Sequence, residues 1–362
     1  MKTNKLYEQA QVSIDQDMPF VLYRKKASVV LNGFFQQDCR LYSSEKLDQP
    51  GFVMAPFDAR KESVLIPEKK SFFYQTLIDR SKIDSSYSVK ADAYNHESET
   101  KENYKRLIQR CISAMHHTNL VKVVLSRKES VPFKCSFLEV FARLEQFYSD
   151  AFCYLFYHPE VGCWTGATPE TLLSYAGNEF STMALAGTRK VGLNSNKEWG
   201  RKEREEQALV TTGIIETLRK YTKDINLSGP ETAQAGNLEH LKTTITGTLS
   251  HSYFGDLIRE LHPTPAVCGT PKEEAKKFIL ENENYNREFY TGYLGPVHLK
   301  NSPNSIPLSE LYVNLRCMKL DDGEATVFMG GGITTESDAS SEWEETVNKS
   351  KTMKKVLYSL MK

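Results

Sequence analysis

From Thr326 to Leu357 the chain reads TVFMGGGITTESDASSEWEETVNKSKTMKKVL: an apolar strand, three consecutive glycines, a polar loop and a helix that opens on acids. Only glycine lets a backbone approach a ligand closely or take positive φ in succession, so Gly330, Gly331 and Gly332 predict a turn whose N–H groups suit an anion. The helix can be tested by phase, because each residue turns by about 100° and an amphipathic face recurs every ~3.6 residues. Glu342, Glu345, Thr346, Lys349, Met353, Val356 and Leu360 fall on one stripe, with Glu344, Lys351, Lys355 and Ser359 well away from it. Acids in a first turn gain about 0.3–1 kcal/mol from the helix dipole. That accounts for an acid at a helix start, but not for acids on the side that becomes apolar two turns later.

The pattern recurs in KEREEQALVTTGIIETLRKYT, where Glu203, Glu206, Val210, Ile214, Thr217 and Tyr221 share a stripe and Glu205 lies opposite. Four carboxylates aimed at an interior repel one another and lose hydration unless a cation neutralises them. Oxygen donors without histidine or cysteine favour Mg²⁺, held by one or two carboxylates, waters and an anionic substrate. The competing account is a pair of solvated helix starts neutralised by Arg201, Lys202 and Arg204. The same phase in two helices weighs against it.

Composition narrows the search to a local site. Lys+Arg and Asp+Glu balance at 46 each, so no net field recommends nucleic acid or an anionic membrane as partner. Seven cysteines, odd in number and without a C-x-x-C pair, argue against a disulfide framework or a zinc site and fit buried thiols in a reducing compartment. The start MKTNKLYEQAQ lacks the apolar core of a signal peptide, and no run of about 18 apolar residues could cross a bilayer. A cytoplasmic protein is expected.

Residues 1 to about 95 alternate short apolar runs with turn formers and carry no catalytic motif, and the polar stretch 82–101 reads as a loop. A helix from Ser98 or Thr100 follows, with Tyr104, Leu107, Ile108, Cys111 and Met115 at helical spacing. Strands are expected at VKVVLSRKESV, AFCYLFYHP, CWTGATPETLLSYA and EFSTMALAGTRK, then a helix from about Lys197 to Tyr221 and a strand at LKTTITGTL. Thr270-Pro271-Lys272-Glu273 reads as a capping box opening another helix, with strands at TGYLGPVHL, ELYVNLRCMKL and EATVFMG beyond it. Strands arrive in groups with single helices between them, which favours an α+β fold with antiparallel sheets over a βαβ wind. One domain over residues 1–362 is expected, since no linker divides the chain.

Individual residues could carry chemistry. Lys122 lies in Val121-Lys122-Val123-Val124-Leu125, as either an edge gatekeeper or a desolvated base. Arg316, a lone guanidinium in YVNLRCMKL, suits bidentate carboxylate recognition. Glu170 in GATPETLL sits at a turn, where glutamate is commonly solvated, and His262 in ELHPTPAVCG is open to a core reading. No G-x-S-x-G, P-loop or GxGxxG fingerprint appears in its proper context.

Taken together, KVVLSR, GATPETLL, LAGTR, KEREEQ, HPTPAVCG, FYTGYLGPV, LRC and GGGI followed by EWEETVNKS resemble the chorismate-utilising enzymes: the isochorismate, salicylate, anthranilate and aminodeoxychorismate synthases. The likeness spans roughly residues 104 to 357, and residues before about 95 match the family's variable N-terminal part. It implies the chorismate-binding enzyme fold, two antiparallel sheets packed as a sandwich with helices outside, and a Mg²⁺-dependent site. Glu206 and Glu345 would hold the ion, with Glu203 and Glu342 completing the acidic shell. Arg316, Tyr290 and the Gly330 backbone would take the pyruvyl carboxylate of chorismate, with Lys349, Gly187, Thr188 and His262 as further substrate contacts.

Lys122 stands where isochorismate and salicylate synthases carry a water-activating base, and His262 in HPTPAV resembles isochorismate synthases. Isochorismate synthase is therefore the expected member: Lys122 as base, Glu170 as acid at the departing C4 hydroxyl. A salicylate synthase and a non-catalytic Mg²⁺-dependent chorismate-binding protein are the alternatives. A self-sufficient monomer without a glutaminase subunit is expected. Many relatives read Y-x-G-P-V-G where this chain has Tyr290-Thr291-Gly292-Tyr293-Leu294-Gly295-Pro296, so Tyr290 aligns best and Tyr293 is its possible substitute.

Overall fold

The structure is a computed structural model, which describes residues 5–78, 98–191, 198–235, 238–300, 302 and 304–361. Among these residues, eighteen strands form two antiparallel nine-stranded sheets. The first runs, edge to edge, through Gly269–Thr270, Lys122–Pro132, Glu324–Ile333, Cys317–Asp321, Gly162–Thr168, Phe152–His158, Phe20–Arg24, Val30–Gln36 and Ser71–Leu77. The second runs through Ile225–Ala235, Leu238–Thr248, Glu179–Lys190, Thr171–Ala176, Leu308–Val313, Tyr293–Val297, Gly51–Ala55, Ser63–Pro67 and Tyr42–Ser44. Seven helices accompany them among the described residues: α1 (Lys5–Asp15), α2 (Ser98–Met115), α3 (Phe137–Phe147), α4 (Arg201–Leu218), α5 (Phe254–Leu261), α6 (Lys272–Asn282) and α7 (Ala339–Tyr358).

Strand periodicity builds the layers. In Phe20–Arg24 every residue is buried, because Phe20 and Leu22 enter the core that also holds Leu6, Phe141 and Leu357, while Val21 and Tyr23 enter the core between the sheets. A strand covered on both faces reads as a continuous apolar run. The inter-sheet core is aromatic, with Tyr23 5.2 Å from Phe52 and Phe152 stacked 4.1 Å from Tyr312. α4 and α5 cover the outer face of the second sheet through Val210, Ile214, Leu257 and Ile258. The α+β sandwich with outer helices is the architecture expected from the sequence.

Several local expectations are corrected. Gly330, Gly331 and Gly332 lie inside the strand Glu324–Ile333, paired with Ser126, Leu125 and Val124, and none has positive φ. The apolar run ELYVNLRCMKL is two strands in different sheets, Leu308–Val313 and Cys317–Asp321. The chain crosses at Arg316, whose φ is 49°. The helix after Thr270 has Pro271 at its N-cap with no side-chain cap, because Thr270 is used as a strand residue opposite Lys122. A capping box forms instead at Ser136, whose side chain accepts from Glu139 N while its own N–H donates to Glu139 Oε2 at 2.8 Å. The helix expected from Lys197 begins at Arg201 and ends at Leu218, and Lys197 lies outside the described residues, as does most of the loop expected over 82–101.

Candidate active site

Lys122 opens the strand that pairs with the glycine-bearing strand, one place in from the short edge strand Gly269–Thr270. It is 1% exposed, which rules out the solvated gatekeeper. Its Nζ donates to Glu206 Oε1 of α4 at 2.8 Å. The glycines make this meeting possible by having no side chains. A Cβ on Gly332 would stand 2.8 Å from Glu206 Oε1 and 2.9 Å from Lys122 Cε. One on Gly331 would stand 3.3 Å from Glu342 Oε2 and 3.9 Å from Glu345 Oε1, and one on Gly330 3.1 Å from the Tyr290 hydroxyl. The triplet is a floor for the site rather than a turn.

Three carboxylates meet three lysines above this floor. Besides the Lys122–Glu206 pair, Lys202 of α4 reaches Glu342 of α7 at 3.1 Å, and Lys349 lies 2.6 Å from Glu345 one turn earlier. Lys349 also donates to the Gly330 carbonyl at 2.9 Å. Burial pushes the Glu206 carboxyl up, but Lys122, then Lys349 and Lys202, outweigh it and leave it below its ordinary value. Burial and then the neighbouring Glu345 raise Glu342, against a hydrogen bond from Ser337 and the charge of Lys202. Glu170, 3% exposed, is pushed by burial up to about 8, with Lys122 and Lys349 opposing the shift. A carboxylic acid that keeps its proton near neutrality thus stands within the field of the lysine that opens the neighbouring sheet's strand.

The donor set suits a hard cation. Glu342 Oε1 accepts from Ser337 Oγ at 2.7 Å, whereas its Oε2 is buried without a hydrogen-bond partner. An orphaned carboxylate oxygen facing Glu345 across a side-chain-free floor is a place that a divalent ion would satisfy. Among the described residues no three His, Cys, Asp or Glu side chains come together closely enough to ligate one ion, because Glu206, Glu342 and Glu345 each lean to a lysine. Glu203 stays apart from that group: its backbone and Cβ cover Gly187, and its carboxylate turns back over Gly200.

Arg316 donates from Nη1 to Thr352 Oγ1 at 3.2 Å and lies in the field of Tyr290 and Glu345. Tyr290 is 3% exposed and stacks 5.4 Å from Phe328. Thr188 pairs with His240 in the second sheet, and its side chain lies outside the described residues. His262 is not brought to this group. Its ring meets the Pro56 carbonyl at 2.9 Å and Tyr293 at 5.0 Å, and burial lowers it to about 4. The histidine that does face the site is His240, which sequence reasoning passed over. Its Nδ1 lies 3.0 Å from the Gly187 carbonyl, and burial, then Arg316 and Lys349, hold it down at about 3. A polar residue at a buried strand position in NLEHLKTT, opposite the LAGTR strand, was the available signal.

Residues 61–358 match the model of a protein family described as chorismate binding enzyme. The chain belongs to this family. Among curated relatives of this chorismate-binding enzyme, the vibriobactin-specific isochorismate synthase of Vibrio cholerae is 26% identical over 94% of this chain and 86% of its own length. An isochorismate synthase of Escherichia coli is 29% identical over 88% of this chain and 85% of its own. The fold matches that of the menaquinone-specific isochorismate synthase of Escherichia coli with a TM-score of 0.76 at 20% identity, covering 94% of this chain and 88% of that one.

Proposed function

We propose that this chorismate-binding enzyme is an isochorismate synthase, which adds water at C2 of chorismate with loss of the C4 hydroxyl. The observation that carries the reading is a fully buried lysine, Lys122, acting by its charge on a buried carboxyl, Glu170, that burial keeps protonated to about pH 8. In its neutral form Lys122 accepts a proton from the attacking water as the C2–O bond forms, the ring double bond shifts, and the C4–O bond breaks. Glu170 gives its proton to the departing hydroxyl, so protons and oxygens balance. General acid and general base each contribute about 10²–10⁴-fold.

Arg316, Tyr290, Gly330, Lys349, Gly187 and Thr188 bind and orient the substrate's carboxylates and ring, and His240 joins them in place of His262. Glu206 and Glu345 would hold Mg²⁺, with Glu342 in the surrounding shell and Glu203, which stays apart from them, outside it. When bound, the ion supplies charge neutralisation at the ring carboxylate. The reading includes a cytoplasmic protein that works without a glutaminase subunit. No helix among the described residues is long and apolar enough to cross a membrane.

Incubation of the purified protein with chorismate and Mg²⁺ tests the proposal by chromatography of the products. Isochorismate is expected, with turnover lost in EDTA and in Glu345→Ala, and Lys122→Ala reduced at least about 10²-fold. Release of pyruvate with salicylate fluorescence would replace the reading with a salicylate synthase, and turnover in EDTA would remove the metal assignment.

A further inference from the structure

The sheet edge next to Lys122 is completed by side chains. The two-residue strand Gly269–Thr270 pairs with Lys122 and Val123, and Val124 N donates to the Cys268 carbonyl at 2.8 Å. Where a longer strand would have continued this ladder, two side chains of the segment after α6 take over. Arg287 Nη2 donates to the Val124 carbonyl at 2.6 Å. Glu283 Oε1 accepts from Ser126 N at 2.7 Å and from Ser126 Oγ at 2.9 Å. One donor and one acceptor thus serve the two edge groups that an antiparallel neighbour would have bonded.

The two side chains are locked to each other, with Nε to Oε2 at 2.8 Å and Nη2 to Oε1 at 2.6 Å. They are 2% and 1% exposed. Arg287 Nη1 reaches the Val267 carbonyl and Thr291 Oγ1, both at 3.2 Å, and Thr291 Oγ1 donates to the Tyr290 carbonyl at 2.6 Å. The guanidinium lies 4.5 Å over the Phe57 ring. One planar fork therefore ties together the Lys122 strand, the segment before Cys268 and the Tyr290 turn. A buried ion pair is a poor stabiliser compared with apolar side chains of the same volume. Its presence here calls for an account based on geometry.

We propose that Glu283 and Arg287 are positioning residues that stand in for an edge strand, holding Lys122 and Tyr290 in register with each other. This rests on the reading of Lys122 as the base acting on chorismate. The test is steady-state kinetics per folded molecule, with folding followed by circular dichroism and thermal melts. Arg287→Lys keeps the charge but offers a point donor that cannot span Val124, Val267, Thr291 and Glu283 together. It is expected to lose about 10²-fold in kcat, the scale of a 1 Å misplacement, with KM changed by less than about fivefold. Ser126→Ala removes the hydroxyl's bonds to Glu283 and to the Tyr285 hydroxyl and no charge, and is expected to lose about tenfold in kcat per folded molecule.

A purely structural pair would lower Tm and leave kcat per folded molecule alone. Wild-type kcat in folded Arg287→Lys overturns the proposal. If Arg287→Lys does not fold, wild-type kcat in Ser126→Ala overturns it. Lys122→Ala is assayed alongside: retained turnover there removes the base reading, and an inactive Lys122→Ala beside a fully active Arg287→Lys removes the positioning proposal alone.

Discussion

At the level of single residues, Glu170 shows how burial sets a chemical role. Its carboxyl is held up at about 8, so it can donate a proton at neutral pH, and turnover is expected to fall as pH rises through that value. The stability consequence has a definite sign. Between the ordinary value of 4.5 and about 8 the folded protein keeps a proton that the unfolded chain has released, so stability falls as pH rises across that window. Glu170→Gln removes this slope. It should be inactive at every pH, melt with the wild type near about pH 5, and melt several degrees above it near about pH 9; kcat profiles and melts at the two pH values check both halves. Gly332 is the converse case, a residue needed for what it lacks. Its φ is ordinary, so Gly332→Ala adds no backbone strain, yet a Cβ 2.8 Å from Glu206 Oε1 must displace the Lys122–Glu206 pair. A loss of at least about tenfold in kcat is expected from steady-state assays.

At the level of elements, α7 carries Glu342, Glu345 and Lys349 and is held over the glycine floor by a wider buried arc than one stripe. Trp343, Val347, Ser350, Lys354 and Leu357 are buried beside Glu342, Thr346, Met353 and Val356, because α7 packs against α2 and α3 as well as the strand Glu324–Ile333. Arg127 of the neighbouring strand lies 4.1 Å over the Trp343 ring and donates from Nε to Thr346 Oγ1 at 2.8 Å. Lys354 donates to Glu129 at 2.9 Å on the same strand. Trp343→Ala should therefore cost about 3–5 kcal/mol of stability and weaken Mg²⁺ binding at the same time. Denaturant unfolding together with a Mg²⁺ titration of the folded variant checks the coupling.

At the level of the whole molecule, the strands before residue 78 occupy one end of both sheets. Phe20–Arg24 pairs along its length with Phe152–His158, and Gly51–Ala55 pairs with Tyr293–Val297. Their side chains, Val21, Tyr23, Phe52 and Met54, lie in the same inter-sheet core as Phe152, Leu294 and Tyr312. A fragment beginning at residue 98 would expose that core and two unpaired strand edges. It is expected to show no cooperative unfolding transition, and a melt showing one would mean that the N-terminal part is a separate unit.

Periodicity and composition determined much of this protein. The strand groups, the helices near Ser98 and Ala339, the phase that turns Glu206 and Glu345 inward, and the apolar context of Lys122 are all local properties, and local pattern is what a one-dimensional string records. Arg316 was legible as a candidate for the same reason, whereas Lys349 was one more polar residue on the α7 stripe and gained a role only through the family resemblance. The rest depended on which distant segments meet. Three glycines that read as a turn become a strand because Ser126, Leu125 and Val124 supply their partners. An apolar run divides between two sheets because the chain crosses at Arg316. His240 lies inside the strand Leu238–Thr248 and His262 caps the helix Phe254–Leu261, and only packing sends one toward Arg316 and Lys349 and the other into the field of Lys272 and Lys276. Residue type sets what a group can do, but the electric field, water exclusion and partners that select among those possibilities come from residues far away in the chain, and only the tertiary structure brings them together.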